Sequence, residues 1–210
     1  FCMRAMLEVG SGSGFIAQYF SRMGYGESGT HTVDVVDERQ IKEEFQFELV
    51  KGTKLPYADE TFDFIISNHV IEHVGSYEDQ VSHISEIYRC LEPVGVLYFA
   101  VPNRWGIIEP HYRLPYLSWL PESWSSAYVR FVGRYSYYDC RLLSRRDAEN
   151  LLSKQGFSFN DATLDAIKLV GVIEDCNWLI KLLTRLPKGF WLTFSFIMPT
   201  LIYVCHKPSN

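Results

Sequence analysis

The chain of 210 residues has five cysteines, Cys2, Cys90, Cys140, Cys176 and Cys205, and no two of them form a C-x-x-C pair. That scatter excludes a zinc finger or thioredoxin-like centre, and an odd count does not suit a disulfide framework. The cysteines read as reduced, intracellular and mostly structural. Long apolar runs are missing too. The longest stretch without a charge, 189–205, is 17 residues broken by Pro199, short of the ~20 that a spanning helix needs. A buried final strand is expected there. Basic charge is also in deficit: 20 Lys and Arg against 25 Asp and Glu give a net charge of -5, so no general basic coat for nucleic acid is present. The first six residues carry no charged lead and apolar stretch of the leader type, so no secretory leader is expected in them, and the start reads as a fragment edge.

What remains is globular in composition, 47% hydrophobic and 21% charged, which excludes a disordered tail, a collagen-like fibre or a coiled coil. One domain over 1–210 is the expectation at this length. Charge is unevenly spread. Residues 1–101 hold 7 basic and 16 acidic residues, whereas residues 102–146 hold 7 Arg, 3 acids, ten aromatics and no Lys. The shift marks 102–143 as an inserted segment with a task of its own.

Short β-type runs at 5–9, 33–36, 47–50, 62–67, 96–101 and 201–205 alternate with helical spacing, first over 15–23 (Ile16, Tyr19, Phe20, Met23). A second helix carries Val81, Ile84, Ile87, Tyr88 and Leu91 and stops near Pro93 and Gly95. A third is capped by Ser144 and stops at Gly156. Strands and helices in this alternation imply an α/β fold, a mostly parallel sheet covered on both faces.

Between the first strand and first helix lies Glu8-Val9-Gly10-Ser11-Gly12-Ser13-Gly14, the place where an open α/β sheet binds its ligand. Phe15 stands where a dinucleotide fingerprint needs its third glycine, and the turn has no lysine for a P-loop. What is left is a turn whose missing side chains admit a ligand close to the backbone, preceded by a carboxylate able to attract a cation. Asp37, at the end of the expected second strand, is placed to accept both hydroxyls of a ribose, in preference to Asp34 within the strand.

LEVGSGSG at 7–14, VDVVD at 33–37, LPYADETFDFIISNHVIEHV at 55–74 and LEPVGVLYFAVPN at 91–103 together resemble the class I S-adenosylmethionine-dependent methyltransferases of the small-molecule type. The resemblance implies a Rossmann-like doubly wound sheet of seven strands, the last antiparallel, in a three-layer αβα sandwich, with S-adenosyl-L-methionine as cofactor. It implies cofactor contacts from Glu8, Gly10, Ser11, Gly12 and Gly14, from Asp37 and Leu55, and from Asn68 and His69. Two departures stand out: Gly52-Thr53-Lys54-Leu55 lacks the family's Asp before Leu-Pro, and Pro93-Val94-Gly95 replaces Pro-Gly-Gly. The helices that family members carry ahead of the first strand are missing, so an incomplete lid is expected.

His69, Glu72 and His73 follow the fourth strand as H-x-x-E-H, the spacing of an inverted zinc-protease motif. No third ligand is evident, and a protease would leave the glycine turn unexplained. Similar methyltransferases acting on quinone precursors place E-x-x-E-H here for a divalent ion, and His69 removes one of those oxygens, so no metal is assigned. Methyl transfer relies on positioning. A hydroxyl nucleophile gains from an imidazole base, for which His69, His73 and His111 are the candidates. Arg104, Trp105, Tyr112 and Arg113, in the block after the fifth strand, are the substrate candidates, as planar cations and flat apolar surface for an anionic or amphipathic acceptor. The expectation is a cytoplasmic O-methyltransferase acting on a small, lipid-linked or sugar-containing acceptor, with residues 179–196 either in peripheral contact with a membrane or buried against the sheet. An inactive cofactor-binding partner protein is the alternative from another class. RNA methylation is disfavoured by the acidic first half, and DNA is not expected.

Overall fold

A computed structural model of the chain describes residues 4–133, 135–173 and 195–209. Strand β1 (Met6–Val9) leads through the glycine turn into helix α1 (Phe15–Phe20) and, after the short helix α2 (Gly26–Gly29), into β2 (Thr30–Asp34). Next come β3 (Gln46–Leu49), β4 (Phe62–Asn68), α3 (Tyr77–Cys90) and β5 (Leu91–Pro102). Helices α4 (Glu122–Val132) and α5 (Arg145–Gln155), strand β6 (Ser158–Asp161), α6 (Thr163–Ile173) and β7 (Thr200–His206) complete the described elements. The strands form one sheet in the order β3-β2-β1-β4-β5-β7-β6. β1 pairs in parallel with β2 and β4, and β4 with β5, whereas β7 runs antiparallel to both neighbours. The fold is therefore the seven-stranded α/β sheet with a reversed last strand.

Side-chain alternation sorts the faces. Leu7, Ile65, Leu97 and Tyr203 pack with Ile84 and Ile87 of α3 and with Leu151 and Leu152 of α5 in the main core. Phe64, on the opposite face, meets Phe20 of α1 with ring centroids 5.4 Å apart. The sheet thus lies between two helical layers. Ser76 accepts from the Asp79 N–H at the start of α3, and Ser144 from the Asp147 N–H at the start of α5, which ends at Gly156 with φ 98°.

Three local expectations are corrected and one strand is added. The helix expected to carry Leu91 ends at Cys90, because Leu91 already opens β5. The second strand covers Thr30–Asp34 and not 33–36, because Val35 and Val36 lie beyond its end, more than half exposed. Helix α1 stops at Phe20 and passes into a wider turn at Ser21–Tyr25, where Gly24 has φ 135°. β6, with the sequence Ser-Phe-Asn-Asp, lacks the apolar run that marks the other strands and pairs only along the sheet edge.

Asn103 and Leu143 pair side by side, and the Arg104 N–H donates to Leu143 O at 3.0 Å. Residues 104–142 leave the sheet and return to it at one point. Within that excursion Leu117, Val129, Tyr138 and Leu142 belong to a small core of their own. Among the described residues no helix is long and apolar enough to cross a membrane. All but the last two residues of 179–196 lie outside the described residues.

Candidate active site

Chain connections run outward from β1 through β2 and from β4 through β5, so a crevice opens at the carboxyl ends of the adjacent strands β1 and β4. The glycine turn forms one wall. Gly10, Gly12 and Gly14 have φ of 87°, 45° and 86°, a region that side chains disfavour. The Gly10 and Ser11 N–H groups both donate to Val33 O, and the Val70 side chain sits where a Cβ on Gly10 would go. Among the described residues, a Cβ on Gly12 would meet nothing within 4 Å. The turn is packed on both flanks and open at its middle.

Asp34 closes β2 beside that opening. Its Oδ2 accepts from the Gly12 N–H and from Ser11 Oγ, both at 3.2 Å, and its Oδ1 from the Val35 N–H at 2.7 Å. Asp37, expected in this place, lies three residues further along the loop. Its carboxylate is bound by Arg39 at 2.9 Å and Lys42 at 3.4 Å, and the Arg39 guanidinium holds it well below the usual carboxylate range.

Glu8 is buried beneath the turn, facing α1, and accepts the Ala17 N–H at 3.1 Å. Burial pushes its carboxyl up to about 8, against the lowering effect of that N–H, and Asp34 raises it further. The folded chain therefore keeps a proton that the unfolded chain releases near 4.5. Stability from this group is complete below about pH 4.5 and is lost as pH rises through about 8. Glu8→Gln, which mimics the protonated form, is expected to melt with the parent at pH 5 and above it at pH 9. Thermal melts across that range check it, and a gap that does not widen with pH counts against the assignment.

The other wall is built at the end of β4. Asn68 is exposed, and His69 follows with φ 56°. Glu72 and His73 sit on the single helical turn Ile71–His73. The excursion brings His111 and Glu109 against them. His111 Nε2 lies 3.3 Å from Glu72 Oε1 and 3.2 Å from His73 Nε2, and His111 Nδ1–H donates to Glu109 Oε1 at 3.1 Å. Both glutamates are about 1% exposed. Glu109 first, then Glu72, pushes the His111 imidazole up to about 10, so as a free group it is protonated at neutral pH and is not a base. Burial lowers His69, which leaves it neutral and able to accept a proton.

All three histidines named from the sequence therefore meet at one place. Glu109 and Cys140, whose Sγ is 3.8 Å from His73 Nδ1, join them without any signal in the sequence beyond the spacing of Glu109 and His111. Other candidates stand apart. Leu55 is in the main core, its N–H donating to Glu86 at 2.9 Å. Tyr112 Oη donates to Asp139 at 2.7 Å inside the excursion, Arg113 is exposed, and Trp105 lies against Trp119 with the Arg104 guanidinium 5.6 Å from its ring. Arg104 does line a cavity of about 530 Å³ between the excursion and the start of α3, together with Ser76, Ser118, Ser125, Tyr138 and Arg141. Cys140 is shared between that cavity and the histidine cluster.

A family model described as a methyltransferase domain matches residues 7–99, the segment that supplies both walls of the crevice. Solved structures of the same fold cover nearly the whole chain. An S-adenosylmethionine-dependent methyltransferase from Mesorhizobium loti superposes with TM-score 0.62 at 10% identity, over 96% of this chain and 90% of that one. The methyltransferase-domain match takes in the glycine turn and the end of β4. A second methyltransferase family structure, from Methanosarcina mazei, gives TM-score 0.60 at 15% identity, over 100% and 95% of the two chains. The uncharacterized protein MJ1123 of Methanocaldococcus jannaschii is 24% identical over 168 residues, 80% of this chain and 71% of that protein. At these identities the solved structures show the fold alone.

Proposed function

We propose that this protein transfers a methyl group from S-adenosylmethionine to a hydroxyl of a small anionic acceptor, free or lipid-linked. The observation that carries the reading is the meeting, at the carboxyl ends of β1, β2 and β4, of an open-centred glycine turn, a carboxylate closing β2 and the His69 imidazole that follows β4. The open face at Gly12 admits the methionine part of the cofactor, and Asp34 offers two oxygens to the ribose hydroxyls. Bound there, S-adenosylmethionine would supply the methyl group, with its sulfur as the leaving atom that keeps the bonding electrons, and His69 would take the proton given up by the acceptor hydroxyl.

The acceptor is assigned to the cavity beside the histidines. Its two arginines, Arg104 and Arg141, have no carboxylate partner among the described residues, and a planar guanidinium pairs well with phosphate or carboxylate. Incubation with methyl-labelled cofactor and fractionated cell extract is expected to place label in an acidic small-molecule or lipid fraction, with S-adenosylhomocysteine formed in equal amount. Cofactor binding without label in any fraction would overturn catalysis and leave a binding module, while label in RNA would overturn the acceptor class.

A further inference from the structure

The buried carboxylate of Glu72 has three imidazole neighbours and, among the described residues, neither oxygen has an aligned hydrogen-bond donor. A buried carboxylate left in that state costs several kcal/mol unless a cation compensates it. The ion pairs of Glu72 and Glu109 among the described residues are with histidines alone.

The inner atoms are spaced for a different occupant. His73 Nε2, His111 Nε2 and Glu72 Oε1 are separated by 3.2, 3.3 and 3.9 Å. The point equidistant from three such atoms lies about 2.0 Å from each, close to the bond length of zinc to imidazole nitrogen and carboxylate oxygen. The outer atoms are held from behind. Glu109 accepts from His111 Nδ1, Cys140 Sγ lies 3.8 Å from His73 Nδ1, and Thr200 Oγ1 lies 3.4 Å from His69 Nε2. A carboxylate behind a histidine fixes the tautomer that turns the far nitrogen's lone pair inward, as it does in metal centres.

We propose that Glu72, His73 and His111 bind one divalent ion of the zinc class. His69 Nδ1, 3.7 Å from Glu72 Oε1, borders the fourth position, which is left for water or an acceptor oxygen. Two imidazoles and one carboxylate favour zinc over magnesium or calcium, which prefer all-oxygen sets. His111 is the ligand that H-x-x-E-H does not contain: the excursion supplies it from 38 residues beyond His73. The site does not depend on methyl transfer, since a chain that fails to bind S-adenosylhomocysteine would still hold the ion.

Equilibrium dialysis of the purified chain against Zn²⁺, read by elemental analysis, tests it. The expected result is one equivalent per chain, an affinity drop of about 100-fold or more for His111→Ala, and a drop of about tenfold for Glu109→Gln, which lies behind the ligand. Co²⁺ loading is expected to give the visible absorption of a four-coordinate centre, lost in His111→Ala. Circular dichroism and S-adenosylhomocysteine calorimetry on the same variants report whether each still folds. The proposal is overturned if the parent chain binds no stoichiometric Zn²⁺, or if a folded His111→Ala chain binds it as the parent does. Binding of Mg²⁺ in preference to Zn²⁺ would equally overturn it.

Discussion

Replacing Asp34 by Ala is expected to weaken S-adenosylhomocysteine binding by about 30-fold, whereas Asp37→Ala stays within about twofold of the parent. The first figure follows from losing two hydrogen bonds to a charged acceptor, a net of about 2 kcal/mol when both are shared with water in the free state. The difference between the two aspartates is geometric. Asp34 already holds the Gly12 N–H and stands at the open centre of the turn, while Asp37 is committed to Arg39 and Lys42. Calorimetry on both variants decides it. Equal losses, or the larger loss at Asp37, would return the ribose to the loop beyond the strand.

The second large effect separates two glycines of one turn. A Cβ on Gly14 would lie 2.6 Å from Ile41 O and 3.1 Å from Phe45 Cζ at a φ of 86°. Backbone oxygen cannot swing aside, so Gly14→Ala is expected to cost about 3 kcal/mol and to lower the melting temperature by about 6–12 °C. At Gly12 the added methyl meets nothing and the conformation alone costs about 1 kcal/mol. Gly12→Ala is therefore expected to melt only about 2–4 °C below the parent and yet to lose cofactor affinity by about 100-fold, because its methyl enters the space that the ligand needs. Melting curves paired with S-adenosylhomocysteine titrations give both numbers. A Gly12→Ala chain that binds normally would mean that the cofactor does not approach the turn at its centre.

These contrasts also show what a linear reading can and cannot supply. The glycine turn, the strand at β4 and the cap at Ser144 are local signals, and each appears in the structure where the residues place it. The error at β2 has a simple physical source. Val35 and Val36 are apolar and were read as strand, but apolar character does not guarantee burial, and both are exposed beyond the last ladder pair at Asp34 and Leu49. β6 was invisible for the converse reason: Ser158, Asn160 and Asp161 are polar because an edge strand needs little apolar surface. The union of His73 with His111 and Cys140 spans 38 and 67 residues of chain. No periodicity encodes a meeting at that separation. It follows from where residues 104–142 fold back.

The paired residues Asn103 and Leu143 give that segment the character of a detachable cassette. The residues proposed to hold the cofactor all precede it, in the first hundred residues, while His111, Glu109, Cys140, Arg104 and Arg141 lie inside it. On the proposed reading, a lineage exchanges the acceptor by replacing one contiguous stretch of gene and leaves the half assigned to the methyl donor untouched.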